Sequence, residues 1–175
     1  DAQVSYKMNI LNNFRSTRNN FIKKENILFL FFALIIFLFD RITKIKILND
    51  FSDKTFFIND YINIDLIWNI GIGFGLLSTD SNLFYHLTST VIGLIILSLT
   101  YFLAVSENTD KLIYSFIIGG ALGNFYDRIV YRAVPDFIDL HYENFHWFTF
   151  NVADIFISIG IILFLIRSFF IKEMK

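Results

Sequence analysis

Four long apolar segments constrain the fold of this chain more than any other feature of its sequence. Each runs for about 20 residues or more, and a helix needs about 20 predominantly apolar residues to cross the hydrocarbon core of a bilayer. The chain is 55% hydrophobic, whereas soluble domains are about 45–50% apolar even when glycine is counted. We therefore expect an all-α membrane protein, a bundle of four transmembrane helices. The segments are 27–48, 83–105, 112–131 and 147–166.

The stretch between the first two apolar segments, 49–82, lacks a helical pattern. Within it, residues 61–68 alternate between apolar and polar side chains, which predicts a half-buried strand. Its apolar side is formed by Ile62, Ile64, Leu66 and Trp68. We therefore expect a small extracytoplasmic β-element between helices 1 and 2. The other connections are expected to be a short polar turn, 106–111, and a polar, aromatic loop, 132–146.

The domain organisation follows from these segments. A single membrane domain, 27–168, lies between an N-terminal tail, 1–26, and a short C-terminal tail, 169–175. Residues 1–7 precede the first methionine and are interpreted as a cloning remnant that takes no part in the fold.

Lysine and arginine predict the orientation of the bundle. The N-terminal tail carries five of them, the C-terminal end three and the 106–111 turn one, whereas 49–82 and 132–146 carry one each. Cytoplasmic segments are enriched in these residues. We therefore expect both termini in the cytoplasm, with the β-element and the 132–146 loop on the outer side.

Polar side chains collect where the apolar segments reach that outer side. A carboxylate in such a place is costly, so each one needs a partner or a function. Asp40 and Lys44 are four residues apart and are expected to pair on one helix face. Arg41 and Lys46 are expected to extend to the interface instead. The whole group comprises Asp40, Lys44, Asn69, Asn124, Asp127, Arg128, Asp136, Asn151 and Asp154.

Small residues in the third apolar segment predict close helix packing. Gly119 and Gly123 are four residues apart, which is typical of a face that lets another helix approach. We expect both glycines to be structural.

The candidate chemistry is that of a carboxylate pair. The chain has no cysteine, none of its three histidines pairs with a nucleophile motif, and His141, Glu143 and His146 do not show zinc spacing. Asp136 and Asp154 lie in the last outer loop and in the helix after it. Two close aspartates cannot easily both ionise, so one keeps a proton while the other can activate water. Two other classes stay open at this point: a transporter or proton relay, and a membrane scaffold.

Several ordered motifs resemble those of the lipoprotein (type II) signal peptidases of bacterial inner membranes. The similarity extends from about Asn26 to Ile166, and the motifs are specific in combination. They are Asp40-Arg41-Ile42-Thr43-Lys44, Asn69-Ile70-Gly71 with Phe74-Gly75, Gly119-Gly120-Ala121-Leu122-Gly123-Asn124 with Asp127-Arg128, Val134-Pro135-Asp136-Phe137, and Phe150-Asn151-Val152-Ala153-Asp154.

The resemblance implies an aspartic endopeptidase with Asp136 and Asp154 as its catalytic pair. Its substrate would be a prolipoprotein carrying diacylglycerol on a cysteine, cut just before that residue. Asp127 is expected to be structural and to pair locally with Arg128 or with a helix end. A monomer is expected, in contact with membrane lipid and without cofactor, metal or nucleic acid. Residues implied to support the substrate or the pair are Asp40, Lys44, Asn69, Gly71, Asn124, Arg128 and Asn151.

Three positions depart from the family pattern. Arg132 stands where a glycine is usual, Gly73 where a slightly larger residue is usual, and Pro135 directly precedes one of the catalytic candidates. A residue before proline favours extended geometry, so Val134 is expected to be extended. These departures leave the pair of aspartates intact.

Overall fold

The computed structural model describes residues 23–52, 54–71 and 82–173, together with the isolated residues Gln3, Tyr6 and Met8. The side chains of 82–84 and 171–173 are outside this description, as is most of the N-terminal tail. The Gly73 departure and the Phe74-Gly75 motif also lie outside the described residues.

Four long helices make up most of the described chain. Three of them are long and apolar enough to cross a membrane: the first, the second from Tyr85, and the last from Val152 to Phe170. The third helix is as long as the second but carries more polar residues, so a fourth span stays a prediction. The helices are α1 (Lys24–Asp50), α2 (Asn82–Val105), α3 (Asn108–Tyr131) and α4 (Val152–Glu173).

Helix α3 packs against each of the other three helices. Glycines make the approach close: a Cβ atom at Gly119 would lie 2.7 Å from the Ala33 carbonyl oxygen of α1. A Cβ at Gly120 would lie 2.5 Å from the Ala153 carbonyl oxygen of α4. Since backbone atoms occupy the space of a side chain, α1 and α4 are held tightly on two sides of α3.

The outer segments form one four-stranded antiparallel sheet with strand order β1-β2-β3-β4. The predicted strand is confirmed as β2, but the predicted loop over 132–146 is wrong. That segment forms β3 and the start of β4, because β3 pairs with the distant β2. The turn between them contains Glu143 at a φ of 52°. The strands are β1 (Phe56–Asn59), β2 (Ile62–Asn69), β3 (Val134–Tyr142) and β4 (Phe145–Phe150).

A bulge in β2 decides which of its side chains face the site. Ile64 pairs with Ile138, but Ile67 pairs with Asp136, so β2 contains one extra residue between them. Alternate residues of a strand share a face. Asn69, two residues beyond Ile67, therefore lies on the face of Asp136. The prediction that Leu66 and Trp68 continue the face of Ile62 and Ile64 is wrong for this reason.

Candidate active site

Asp136 lies at the start of the central strand β3, where its side chain is only 2% exposed. Its Oδ1 accepts a hydrogen bond from Asn151 Nδ2 at 2.5 Å, and its Oδ2 accepts one from Asn69 Nδ2 at 2.8 Å. Burial and, after it, the negative charge of the nearby Asp154 raise the pKa of this carboxyl, and with the two amide donors acting in the opposite direction it lies at about 7. Asp136 therefore exchanges its proton near neutral pH.

Asp154 lies in the first turn of α4 and belongs to a reciprocal cap. Its backbone N–H donates to Asn151 Oδ1 at 3.1 Å, and the Asn151 N–H donates back to Asp154 Oδ2 at 3.1 Å. Asn124 Nδ2 of α3 donates to the other carboxylate oxygen at 2.8 Å. This cap explains why α4 begins at Val152 and not at Trp147 as predicted, since Trp147 belongs to β4.

One residue joins the two carboxylates. Asn151 is fully buried, and it donates to Asp136 through its side chain and to Asp154 through its backbone. The two aspartates, 18 residues apart in sequence, are therefore held side by side at the junction of β3, β4 and α4. Two neighbouring carboxyls of this kind can share a proton and activate water.

Behind the pair is a buried ionic cluster between α1 and α3. Lys44 Nζ lies 2.8 Å from Asp40 Oδ2 and 2.7 Å from Asp127 Oδ2, and it donates to Asn124 Oδ1 at 2.9 Å. All three charged side chains are fully buried. The second oxygen of Asp40 accepts the backbone N–H of Ala153 at 3.0 Å. The expected Asp40–Lys44 pair is thus confirmed, and the cluster reaches both α3 and the start of α4.

Two expectations for this cluster are wrong. Asp127 pairs with Arg41 and Lys44 of α1 and not with the neighbouring Arg128. Arg41 does not extend to the interface but is buried, with its guanidinium 4.7 Å from the ring centre of Tyr126. Burying the Arg41 guanidinium costs less free energy when a carboxylate pairs with it. That carboxylate, Asp127, comes from another helix, so the pair forms only when α1 packs against α3. Lys46, in contrast, is exposed as expected.

Arg128 connects α3 to the turn after β2. Its Nη2 donates to the Gly71 carbonyl oxygen at 2.5 Å, and the Gly71 N–H donates to Asn69 Oδ1 at 2.9 Å. Tyr85 of α2 donates its phenol hydrogen to the Arg128 carbonyl oxygen. Sequence reasoning missed Tyr85, because a tyrosine near the end of an apolar helix has many packing roles and no motif marks this one.

Sequence reasoning also missed that Asp139 on β3 is the acid next to His141 and His146. Asp139 is 3% exposed, and its Oδ2 lies 2.8 Å from His146 Nδ1 and 3.6 Å from His141 Nδ1. The sequence suggested Glu143 as the acid near these histidines. In the described part of the chain, no group of three or more potential ligands could hold a metal ion. Asp139 lies three positions after Asp136 on the same strand, an odd number, so the two acids face opposite sides of the sheet.

Gly123 brings the cluster and the pair together. A Cβ atom here would lie 2.3 Å from Asp40 Oδ2, so only glycine leaves room for the Asp40 carboxylate against α3. Gly119 lies one helical turn away, against Ala33 and Ile36 of α1. The polar site residues predicted on described segments all belong to one network. Its members come from α1, β2, α3, β3 and α4.

Comparison with known proteins shows the family of the chain. A family model described as signal peptidase (SPase) II matches residues 32–170. A lipoprotein signal peptidase of Pelagibacter ubique (strain HTCC1062) is 47% identical over 145 residues, covering 81% of this chain and 87% of that protein. A lipoprotein signal peptidase of Blochmanniella pennsylvanica (strain BPEN) is 40% identical over 157 residues, covering 87% of this chain and 94% of that protein.

The fold has solved relatives as well. A structure of a bacterial membrane enzyme, determined by the in meso method at 2.3 Å resolution, matches with a TM-score of 0.67 and 30% identity. The match covers 81% of this chain and 87% of that one. The chain therefore belongs to the signal peptidase II family and is a membrane aspartic peptidase, as its motifs indicated.

Proposed function

We propose that this protein removes signal peptides from diacylglyceryl-modified bacterial prolipoproteins by cutting the peptide bond just before the lipidated cysteine. Membership of a peptidase family favours this over the transporter and the scaffold. The observation that carries the catalytic assignment is Asn151, which hydrogen-bonds to both Asp136 and Asp154. An aspartic peptidase uses two neighbouring carboxyls, one protonated and one ionised, and the bonds from Asn151 support such a neighbourhood.

The two carboxyls have unequal surroundings, and this suggests their roles. Asp136 is buried in the sheet, and its pKa of about 7 lets it hold a proton at neutral pH. Asp154 lies in the first turn of α4, where the helix dipole favours a negative charge. We assign Asp154 as the base and Asp136 as the acid.

The reaction then proceeds as a water addition. Asp154 takes a proton from water as the water oxygen bonds to the peptide carbonyl carbon. Asp136 donates its hydrogen to the carbonyl oxygen and stabilises the charge that develops there. Collapse of the tetrahedral intermediate breaks the C–N bond. As the carbonyl re-forms, one hydroxyl returns its proton to Asp136, and the proton held by Asp154 moves to the leaving nitrogen. The products are the free signal peptide and the amino group of the lipidated cysteine.

The proposed setting is the bacterial cytoplasmic membrane, with a monomer that crosses it four times. The lysine and arginine distribution supports cytoplasmic termini and an active site at the outer face. The site residues lie where α1, α3 and α4 meet the sheet, and such a position would let a membrane-embedded substrate reach them. No cofactor enters the proposed reaction.

A cleavage assay on a purified diacylglyceryl-modified precursor tests this function. We expect Asp136→Asn and Asp154→Asn each to lower the rate at least about 100-fold, because each removes one proton-transfer group. Asp60→Asn, an exposed acid in the β1–β2 turn, is the matched control and should leave the rate unchanged. Cleavage by Asp154→Asn at the wild-type rate would show that the pair is not catalytic.

A further inference from the structure

An apolar groove begins at Asp154 and runs along α4. Its volume is about 290 Å³, and its walls come from β4 and from one face of the helix. Asp154 and Ser158 are the polar residues among its described lining residues. The others are Phe148, Phe150, Ile155, Ile159 and Ile162.

This groove remains open because α3 packs on a different face of α4. Gly120 of α3 lies against Ala153 and Ile157, and Gly160 of α4 lies against Ile117 of α3. The groove residues Ile159 and Ile162 keep 38% and 55% of their surface exposed. In a bilayer this face of the helix meets hydrocarbon.

The dimensions of the groove fit one extended chain. The helix rises about 1.5 Å per residue, so the groove from Asp154 to Ile162 is about 12 Å long. Spread over that length, 290 Å³ leaves a cross-section of about 24 Å². A helix about 10 Å wide occupies roughly 80 Å². An extended chain therefore fits inside a space of this width, whereas a helix packs only across its open side.

The chemistry of the walls distinguishes a hydrocarbon chain from an extended peptide. An extended peptide brings one N–H and one C=O per residue, and each needs a hydrogen-bond partner away from water. Along the described walls below Asp154, Ser158 is the polar residue. A hydrocarbon chain needs no such partner, so an acyl chain is the better occupant.

We propose that this groove holds one acyl chain of the diacylglyceryl group on the substrate cysteine, an inference that rests on the proposed function. The groove ends at a catalytic carboxylate, and the lipid is attached to the residue next to the bond that is cut. A phospholipid would bring an anionic phosphate towards Asp154, with no cation among the described lining residues to offset the repulsion. The diacylglyceryl thioether is neutral.

The groove acts by positioning the substrate. An acyl chain in a bilayer is already in hydrocarbon, so entering the groove gains little hydrophobic free energy. What it gains is orientation, since the chain fixes the lipidated cysteine against the two carboxyls. Acyl chain length should therefore affect kcat/KM for cleavage.

Groove-filling variants of the full-length protein test this inference. The assay compares kcat/KM for two precursors that differ only in their acyl chains, dipalmitoyl or dibutanoyl. We expect the wild type to prefer the dipalmitoyl precursor about tenfold, and Ile159→Trp to reduce that preference to near parity. Leu165→Trp, on an exposed part of α4 outside the groove, is the matched control and should keep the wild-type preference.

A second groove variant distinguishes a filled groove from misfolding caused by Ile159→Trp. Ile162→Trp lies at the far end of the groove, at a more exposed position, and should lower kcat/KM for dipalmitoyl but not for dibutanoyl precursor. Equal effects of both groove variants on the two precursors would overturn the inference, and would favour a bilayer lipid or an empty groove. A wild-type protein that cleaves neither precursor would instead contradict the proposed function.

Discussion

Three asparagines hold the two carboxyls that we propose to be catalytic. A donor bound to its amide oxygen orients each of these asparagines. Because the oxygen of each amide is engaged, its NH₂ group must point to a carboxylate. Within the described residues, these asparagines thus give each of the four carboxylate oxygens one hydrogen bond. The orienting donors are Gly71 N–H for Asn69, Lys44 Nζ for Asn124 and Asp154 N–H for Asn151.

Removing one of these donors should shift the pH profile of cleavage. The Asn69 amide lowers the pKa of Asp136, so Asn69→Leu should raise that pKa above about 7. We expect the alkaline limb of kcat/KM to move to higher pH while the maximum rate falls. Asn63→Leu, on the same strand but opposite Asp139, is the control. If the alkaline limb of Asn69→Leu stays at the wild-type pH, ionisation of Asp136 is not what causes this limb.

Asp136 should also make the protein less stable as pH rises. Its folded pKa of about 7 lies above the value of 3.8 for a free aspartate, so the folded state binds the extra proton. Between pH 3.8 and about pH 7, the free energy of unfolding of the wild type, relative to that of Asp136→Asn, should fall by up to about 1.4 kcal/mol per pH unit. Above about pH 7 this difference should stay constant. Thermal unfolding of both proteins in detergent across this range measures the difference. A relative stability that rises with pH would mean that the fold favours the ionised carboxyl.

Residue types at the site and the local Asp40–Lys44 pair could be predicted from sequence, but the pairing of Asp127 across the helix interface could not. Asp136, Asp154 and the asparagines stood out because polar groups are rare at the ends of apolar segments. The partners of Asp127 depend on how α1 packs against α3, and its neighbour Arg128 was the wrong choice. Local spacing favours the nearest charge, whereas burial selects the partner across the helix interface.

At the scale of elements, the helices were predicted well and the second hairpin was not. Apolar periodicity locates a helix by itself, whereas β3 is a strand because it pairs with β2, some 70 residues earlier in the chain. The start of α4 did have a local signal. Asn151 and Asp154 have capping-box spacing, and reading them as a cap would have placed the helix start at Val152.

The contact between α1 and α3 should tolerate no side chain at Gly119. A Cβ there would lie 2.7 Å from both the Ala33 carbonyl oxygen and the Ile36 Cβ, so the helices must separate. We expect Gly119→Ala to destabilise the protein by about 1–3 kcal/mol, as overpacking does. Gly93→Ala is the control, since among the described residues its Cβ would meet only the Phe125 ring, at 3.2 Å. Its unfolding temperature should stay the same or rise, because alanine favours a helix. Equal unfolding temperatures for Gly119→Ala and wild type would show that the interface is loose.

At the scale of the whole molecule, α3 joins the bundle and the site. Its mean hydropathy is lowered by the polar residues that build the site, which is why it falls outside the set of apolar spans. Asp127 and Arg128 are nevertheless buried and paired within the protein. A polar group satisfied inside the bundle does not face lipid, so the helix can cross the membrane despite its composition.

Thiol labelling tests whether α3 crosses the membrane. The chain has no cysteine, so Asn108→Cys and Asn144→Cys each introduce a single thiol at an exposed position, the first at the start of α3 and the second beyond its end. We expect a membrane-impermeant maleimide to label Asn144→Cys in intact spheroplasts, and Asn108→Cys only after permeabilisation, because the basic termini place the α2–α3 turn inside. Retained cleavage activity shows that each variant is folded. Labelling of both positions from the same side would mean that α3 does not span the bilayer, and the four-span arrangement would then have to be abandoned.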